Sequence, residues 1–256
     1  MVEFQRKDFY SYEDFLEIMR LLRSPGGCPW DREQTHGSIR RNFLEETYEV
    51  LDALDRDDPR DMCEELGDVL LQVLFHADIE ADRGRMTIDD IADAECRKLI
   101  FRHPFLFGGK NASWDELKQQ EKGQKTTGEA MQGVARSLPA TWRAEKIQKK
   151  AAKTGFCWKS AGQALDKLAE EAQELREAVQ DDTNIDEELG DLLFAAVRVA
   201  STLDKDPEQA LHSACEKFIK RFTAMEQSIL ASGRTLEELS REELLASWDA
   251  QKRNGR

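Results

Sequence analysis

Apolar residues along this chain return every three or four positions, the period of an α-helix buried on one side. Leu168, Ala172, Leu175 and Val179 make one such stripe, and Ile185, Leu189, Leu192 and Ala196 another. No run of alternating β-branched residues bounded by turn signals reads as a strand. The pattern predicts helices near 8–23, 36–56, 59–83, 88–102, 113–122, 139–153, 161–181, 184–203, 206–232 and 241–252, an all-α fold. The prolines agree. Asp58-Pro59 and Asp206-Pro207 are each a capping acid followed by proline at the first helical position. Pro25 and Pro29 fall in the loop Ser24–Asp31, and Pro104 ends a helix.

The pattern occurs twice. FLEETYEVLDAL at Phe43–Leu54 is echoed by LAEEAQELREAV at Leu168–Val179, and EELGD stands at both Glu64–Asp68 and Glu187–Asp191. GGCPWD at Gly26–Asp31 returns as GFCW at Gly155–Trp158, KLIFR at Lys98–Arg102 as KFIKR at Lys217–Arg221, and Trp114-x-x-x-Lys118 as Trp248-x-x-x-Lys252. Five segments matched in order mark a duplication. The expected division is 1–122 and 136–256, joined by a glycine- and threonine-rich linker over 123–135.

Within each copy the acids share one position relative to the apolar stripe. Each helical residue turns by about 100°, so Glu174 lies about 60° to one side of Glu171 while the stripe lies on the other. Glu188 and Asp191 repeat this offset, as do Glu46/Glu49 and Glu65/Asp68 in the first copy. Two such helices packed antiparallel bring four carboxylates to the edge of the seam, where like charges repel unless cations intervene. Oxygen-only ligands favour a hard ion, Mg²⁺ or Mn²⁺. The adjoining Glu45/Glu64 and Glu170/Glu187 are placed to accept hydrogen bonds from metal-held water or to act as a base. Gly67 and Gly190, mid-helix, each cost about 1 kcal/mol against alanine, which suggests close approach of another helix or a ligand.

Composition narrows the chemistry. The 256 residues are 40% hydrophobic and 34% charged, with a net charge of −14. That charge disfavours broad binding to nucleic acid or anionic lipid, but a phosphate ester is accessible where metal ions invert the local field. No apolar run reaches the ~18 residues of a membrane span. Five cysteines, odd in number and without a C-x-x-C pair, read as reduced thiols of a cytoplasmic protein.

Lys98/Arg102 and Lys217/Arg221 put two cations on one helical face, suited to gripping a polyphosphate or to pairing with surface acids. Trp248, with Lys252 one turn later, reads as a core aromatic or as the edge of a site. Trp30 and Trp158 read as core plugs or as the floor of a base pocket. A single acidic cluster of this kind is usually a solvated helix face; duplication of the whole set tells against that reading. Two rivals stay open. One is a redox di-metal bundle, although Glu33-x-x-His36, the spacing such bundles use, is not repeated. The other is a helical interaction module without catalysis.

These residues resemble the MazG family of nucleoside triphosphate pyrophosphohydrolases in its tandem two-domain form. The likeness rests on E-E-x-x-E followed by E-x-x-D, matched by Glu45-Glu46-x-x-Glu49 with Glu65-x-x-Asp68 and by Glu170-Glu171-x-x-Glu174 with Glu188-x-x-Asp191. It implies two four-helix-bundle domains, assembly as a homodimer, and Mg²⁺-dependent hydrolysis of NTPs and dNTPs to monophosphate and pyrophosphate. The C-terminal half is implied as the main catalytic unit. Metal would be held by Glu171, Glu174, Glu188 and Asp191, with Glu46, Glu49, Glu65 and Asp68 as their counterparts. Glu170, Glu171, Glu187 and Glu188 would carry the catalysis. Lys167, Lys217, Arg221, Trp248 and Lys252 would hold substrate, with Lys98, Arg102, Trp114 and Lys118 as first-half equivalents. Broad base specificity is expected, since no group of polar residues stands out as reading a base edge.

Overall fold

A computed structural model describes residues 3–108, 117, 121 and 123–254; Trp114 and Lys118 lie outside them. The chain forms two compact units, Met1–Leu117 and Lys118–Arg256. Among the described residues all regular structure is helical. The first unit holds α1 (Tyr12–Arg23), α2 (Pro29–Glu33), α3 (Arg40–Arg56), α4 (Pro59–Ala81) and α5 (Ile88–Arg102). The second holds α6 (Thr127–Gln132), α7 (Ala140–Ala152), α8 (Ala161–Asp181), α9 (Ile185–Thr202), α10 (Pro207–Ala231) and α11 (Arg241–Asn254), with a 3₁₀ turn at Leu236–Glu238.

Local chemistry sets the helix ends. Ser11 with Asp14 and Thr87 with Asp90 form reciprocal capping boxes at α1 and α5. Asp58 and Asp206 cap α4 and α10 ahead of Pro59 and Pro207. The central pairs, α3/α4 and α8/α9, close through tight turns. Asp57 (φ 53°) and Asp182 (φ 52°) both take the left-handed conformation that short polar residues tolerate. These aspartates occupy matching places in the repeat, so the same turn fixes the same antiparallel register twice.

Several expected elements differ. The helix expected over 36–56 starts at Arg40, because Thr35 and Ser38 bond one another's backbone across a turn. The loop Ser24–Asp31 contains the start of α2. The segment 123–135 contains α6, capped by Thr126 and Glu129, and buries Ala130 and Val134 within the second unit. The apolar stripes are also rearranged. On α8 the buried positions are Ala164, Glu171 and Ala178, while Val179 is 58% exposed; on α9 they are Ala195 and Val197, while Leu189 is exposed and Leu193 is 61% exposed. Glu171 therefore sits within the packed face and not at its edge. A Cβ at Gly67 or Gly190 would meet nothing within 4 Å, so among the described residues no other segment approaches either backbone closely.

The first unit is packed around Met19, Ile39, Leu74, Phe75 and Ile79. Beside this core His36 spans His76 (Nδ1 to Nδ1, 2.7 Å) and Glu80 (Nε2 to Oε1, 2.6 Å). Arg85 and Arg83 add to Glu80 at 2.5 and 3.1 Å. The hydrogen bonds from His36 and Arg85 hold the Glu80 carboxyl down at about 2, against an ordinary 4.5. Burial and the neighbouring His36 push His76 below its ordinary 6.5. A depressed carboxylate contributes stability that is complete above its unfolded value and lost as pH falls toward its folded value. Histidine held neutral also favours unfolding as pH falls below 6.5. Both groups therefore make the first unit acid-labile. Glu80→Gln is expected to lower the melting temperature at pH 7 and to flatten its fall between pH 4.5 and about 2, as read by thermal melts across pH.

Candidate active site

Each helix pair gathers three carboxylates. Ligand oxygens of Glu46, Glu49 and Glu65 lie within 4.8 Å of one another, and so do those of Glu171, Glu174 and Glu188. In the first unit Asp68 is close enough to Glu46 to disfavour its ionisation, after desolvation, the larger cause. Desolvation and Glu49 likewise raise Glu65. Asp191 in the second unit lines the cavity that Glu171 also lines. The supporting acids stay outside: Glu170 and Glu187 are exposed, Glu45 pairs with Arg41 at 2.7 Å, and Glu64 is exposed. The donor set is all oxygen, clustered and partly desolvated, and fits a hard divalent cation.

The two clusters differ in their compensation. Lys167, one turn before Glu171, reaches Glu170 at 2.7 Å and Glu171 at 2.8 Å. The lysine holds the Glu171 carboxyl below its usual range, whereas Glu174, hydrogen-bonded to Glu171 and partly desolvated, is raised. Glu170 and Glu171 raise Lys167 in return. The repeat puts Asn42 where the second unit has Lys167, so the first cluster has no cation at that place.

A cavity of about 310 Å³ opens beside the second cluster. Lys167, Glu171 and Asp191 form its charged end, and Phe156, Trp158, Phe194 and Ala195 its apolar wall. Gln148 and Arg198 also line it. Trp158 lies against Arg198, whose guanidinium carbon is 5.8 Å from the ring centroid. In the first unit the EELGD register puts Phe75 at the place of Arg198, and Trp30 meets it edge-on at 6.4 Å. Phe75 is 4% exposed and belongs to the core. One copy fills with a phenyl ring the position that the other opens onto a cavity.

The remaining sequence candidates lie elsewhere. Trp248 packs on Phe218 with centroids 5.0 Å apart, and Lys252 Nζ lies 6.0 Å from the Trp248 ring while pairing with Asp249. Lys217 and Arg221 stand on α10, and none of these four lines the cavity. On α5, Lys98 pairs with Glu95 and Arg102 is half-buried. Sequence reading missed Gln148, Arg198, Phe156 and Phe194. Its one available signal was a lone arginine inside the apolar run Leu192–Ala200.

Two carboxylate clusters on paired helices, one joined to a pocket, are placed to hold a divalent cation beside a bound molecule. The MazG nucleotide pyrophosphohydrolase domain matches residues 34–107 and again 160–224. A nucleoside triphosphate pyrophosphohydrolase/pyrophosphatase MazG of Thermotoga maritima is 43% identical over 245 residues, covering 94% of this chain and 95% of its own. A nucleoside triphosphate pyrophosphohydrolase of Escherichia coli K12 is 43% identical over 251 residues, covering 93% and 95%. One from Mycolicibacterium smegmatis is 43% identical over 152 residues, 56% of this chain and 46% of its own. The chain belongs to the MazG family.

Clustered acids with raised carboxyls destabilise the metal-free fold and reward cation binding. Mg²⁺ or Mn²⁺ is expected to raise the melting temperature at neutral pH. Glu46→Gln, which removes one repelling charge, should raise that of the metal-free protein by a few degrees and reduce the metal-induced increment. Calorimetric melts with and without metal check both.

Proposed function

We propose that the chain is a Mg²⁺-dependent nucleoside triphosphate pyrophosphohydrolase that releases monophosphate and pyrophosphate, working mainly from its second unit. The observation that carries this reading is the continuity between the Glu171/Glu174/Glu188 cluster and the cavity, through Lys167, Glu171 and Asp191. A triphosphate laid along that line has its base among Trp158, Phe156 and Phe194 and its phosphates at the acids.

Glu171, Glu174, Glu188 and Asp191 hold the metal; Mn²⁺ is the alternative ion. A divalent cation held by these carboxylates would supply a Lewis acid for the triphosphate and the attacking water. Glu170 and Glu187, exposed beside the cluster, are placed to accept a proton from that water. Lys167, at the cavity beside Glu171, would neutralise charge on the phosphates. Lys217, Arg221, Trp248 and Lys252 form a second basic and aromatic group on α10 and α11; Lys217 and Arg221 would neutralise charge on the leaving pyrophosphate, Lys252 would add a phosphate contact and Trp248 would cover the base. Lys98 and Arg102 are their counterparts on α5, with Trp114 and Lys118 outside the described residues.

We also assign the protein as a homodimer, in a reducing, cytoplasmic setting that suits its five free cysteines. Leu165, Val179, Leu189 and Leu193 leave large apolar surface open on α8 and α9, more than isolated surface residues require. Light scattering should give twice the chain mass of 29.3 kDa.

Incubation with an NTP panel and Mg²⁺, followed by product identification, tests the reaction. Monophosphate and pyrophosphate are expected; orthophosphate with a diphosphate as first products would overturn it. Glu171→Ala should lower kcat by at least about a hundredfold, and Glu46→Ala should leave most turnover. The opposite result would move catalysis to the first unit. Bound iron with redox activity would favour a di-metal oxidoreductase, whereas absence of both turnover and metal-dependent stabilisation would favour an interaction module.

A further inference from the structure

We infer that Gln148 and Arg198 read the nucleobase, and that they select six-keto purines such as guanine over adenine. The inference rests on the pyrophosphohydrolase reading above and deepens it to base selection.

Gln148 is 6% exposed, on a wall of the cavity. Its amide nitrogen donates to the Phe194 carbonyl at 2.7 Å, which leaves Oε1 as the free end of the group. That oxygen is buried and has no hydrogen-bond partner among the described residues. Arg198 follows Phe194 by one helical turn and lines the same cavity, and its Nε is also buried without a partner. No ion pair or hydrogen bond joins the Arg198 side chain to another described residue; its contact is the face of Trp158. A buried acceptor and a partly buried guanidinium, both unpaired among the apolar side chains of the cavity wall, each carry a desolvation cost that the protein does not offset. A ligand presenting one N–H and one strong acceptor on adjacent atoms offsets both.

Adenine suits glutamine when the amide both donates and accepts; here the amide nitrogen is anchored on the Phe194 carbonyl, and the oxygen is the end left without a partner. Guanidinium favours a carbonyl oxygen, with two lone pairs, over a ring nitrogen with one, and guanine is its commonest base partner. The lactam edge of guanine supplies both needs. Its ring N–H donates to Gln148 Oε1, and its six-keto oxygen accepts from Arg198. The ring itself lies against the Trp158 and Phe156 wall, where stacking is indifferent to base identity. Selection is therefore graded: all bases enter, and the edge ranks them.

The test compares kcat/KM for GTP, ITP, ATP and 1-methyl-GTP. ITP keeps the lactam edge without the two-amino group, so it should match GTP, with both about tenfold above ATP. Methylation of the ring N–H should cost about the same factor. Arg198→Met should bring the GTP-to-ATP ratio close to one, and Arg198→Lys should restore part of it. A circular dichroism melt identifies a variant that fails to fold, in which case the four substrates decide alone. ATP equal to or above GTP, or a ratio unchanged in Arg198→Met, would overturn the inference. Calorimetry with GMP and AMP reads the pocket without turnover. Tighter GMP binding with no hydrolysis would support the base assignment while removing the proposed reaction, and equal binding would remove the base assignment.

Discussion

Repulsion between carboxylates at the seam of two antiparallel helices is the constraint around which each unit is built. Three acids whose oxygens lie within 4.8 Å of one another cannot all ionise freely. Something else must hold the helices together, and the long α3/α4 and α8/α9 pairings do so. The left-handed aspartates at 57 and 182 fix how the two helices of each pair slide against one another. A register change of a single residue would turn Glu65 or Glu188 by about 100° and dissolve the cluster. The turn and the acids thus form one device, and the duplication copied both.

What the duplication did not preserve is the surroundings. Lys167 lowers Glu171 in the second unit, while Asn42 stands in its place in the first, where Glu46 and Glu65 are both raised. The Phe75/Trp30 contact of the first unit becomes Arg198/Trp158 in the second. Equal acid motifs therefore sit in unequal electrostatic and steric settings. The first cluster lies beside a filled core, the second beside a pocket with a lysine at its mouth. The motif alone says that a cation can bind; the positions around it say what else can.

Much of this was legible in the chain. The helical period, the capping pairs Asp58-Pro59 and Asp206-Pro207, and the repeated offset of the acids led to the helices and to both clusters. Three features were not legible. Apolar stripes on α8 and α9 show which residues avoid water but not which partner covers them, so Val179 and Leu189 were expected inside and lie outside. Burial of Glu171 depends on what packs over α8, a tertiary outcome, although its partner Lys167 is only one turn away on the same helix. Gln148 and Arg198 carry no motif. Their significance lies in buried unpaired atoms on residues that line a cavity, and a sequence records polar residues without recording their partners. The basic and tryptophan motifs were legible as a repeat, yet they gather on α10 and α11, away from the pocket wall.

The exchange of Phe75 for Arg198 also suggests how the two copies divide their work. A phenyl ring at that position lets the first unit close its core with Leu74 and Ile79, burying apolar area that stabilises the fold. An arginine there forgoes that burial, leaves a cavity whose walls lack contacts, and exposes the fold to the cost of unpaired donors. Such a residue persists when a ligand supplies the missing interactions. The same position cannot do both, because filling the pocket removes the place where a base would lie. Two copies resolve the conflict: one can keep the packed version while the other keeps the open one. The acid cluster in the packed copy then remains able to bind a cation, without the pocket that would let a base lie beside it.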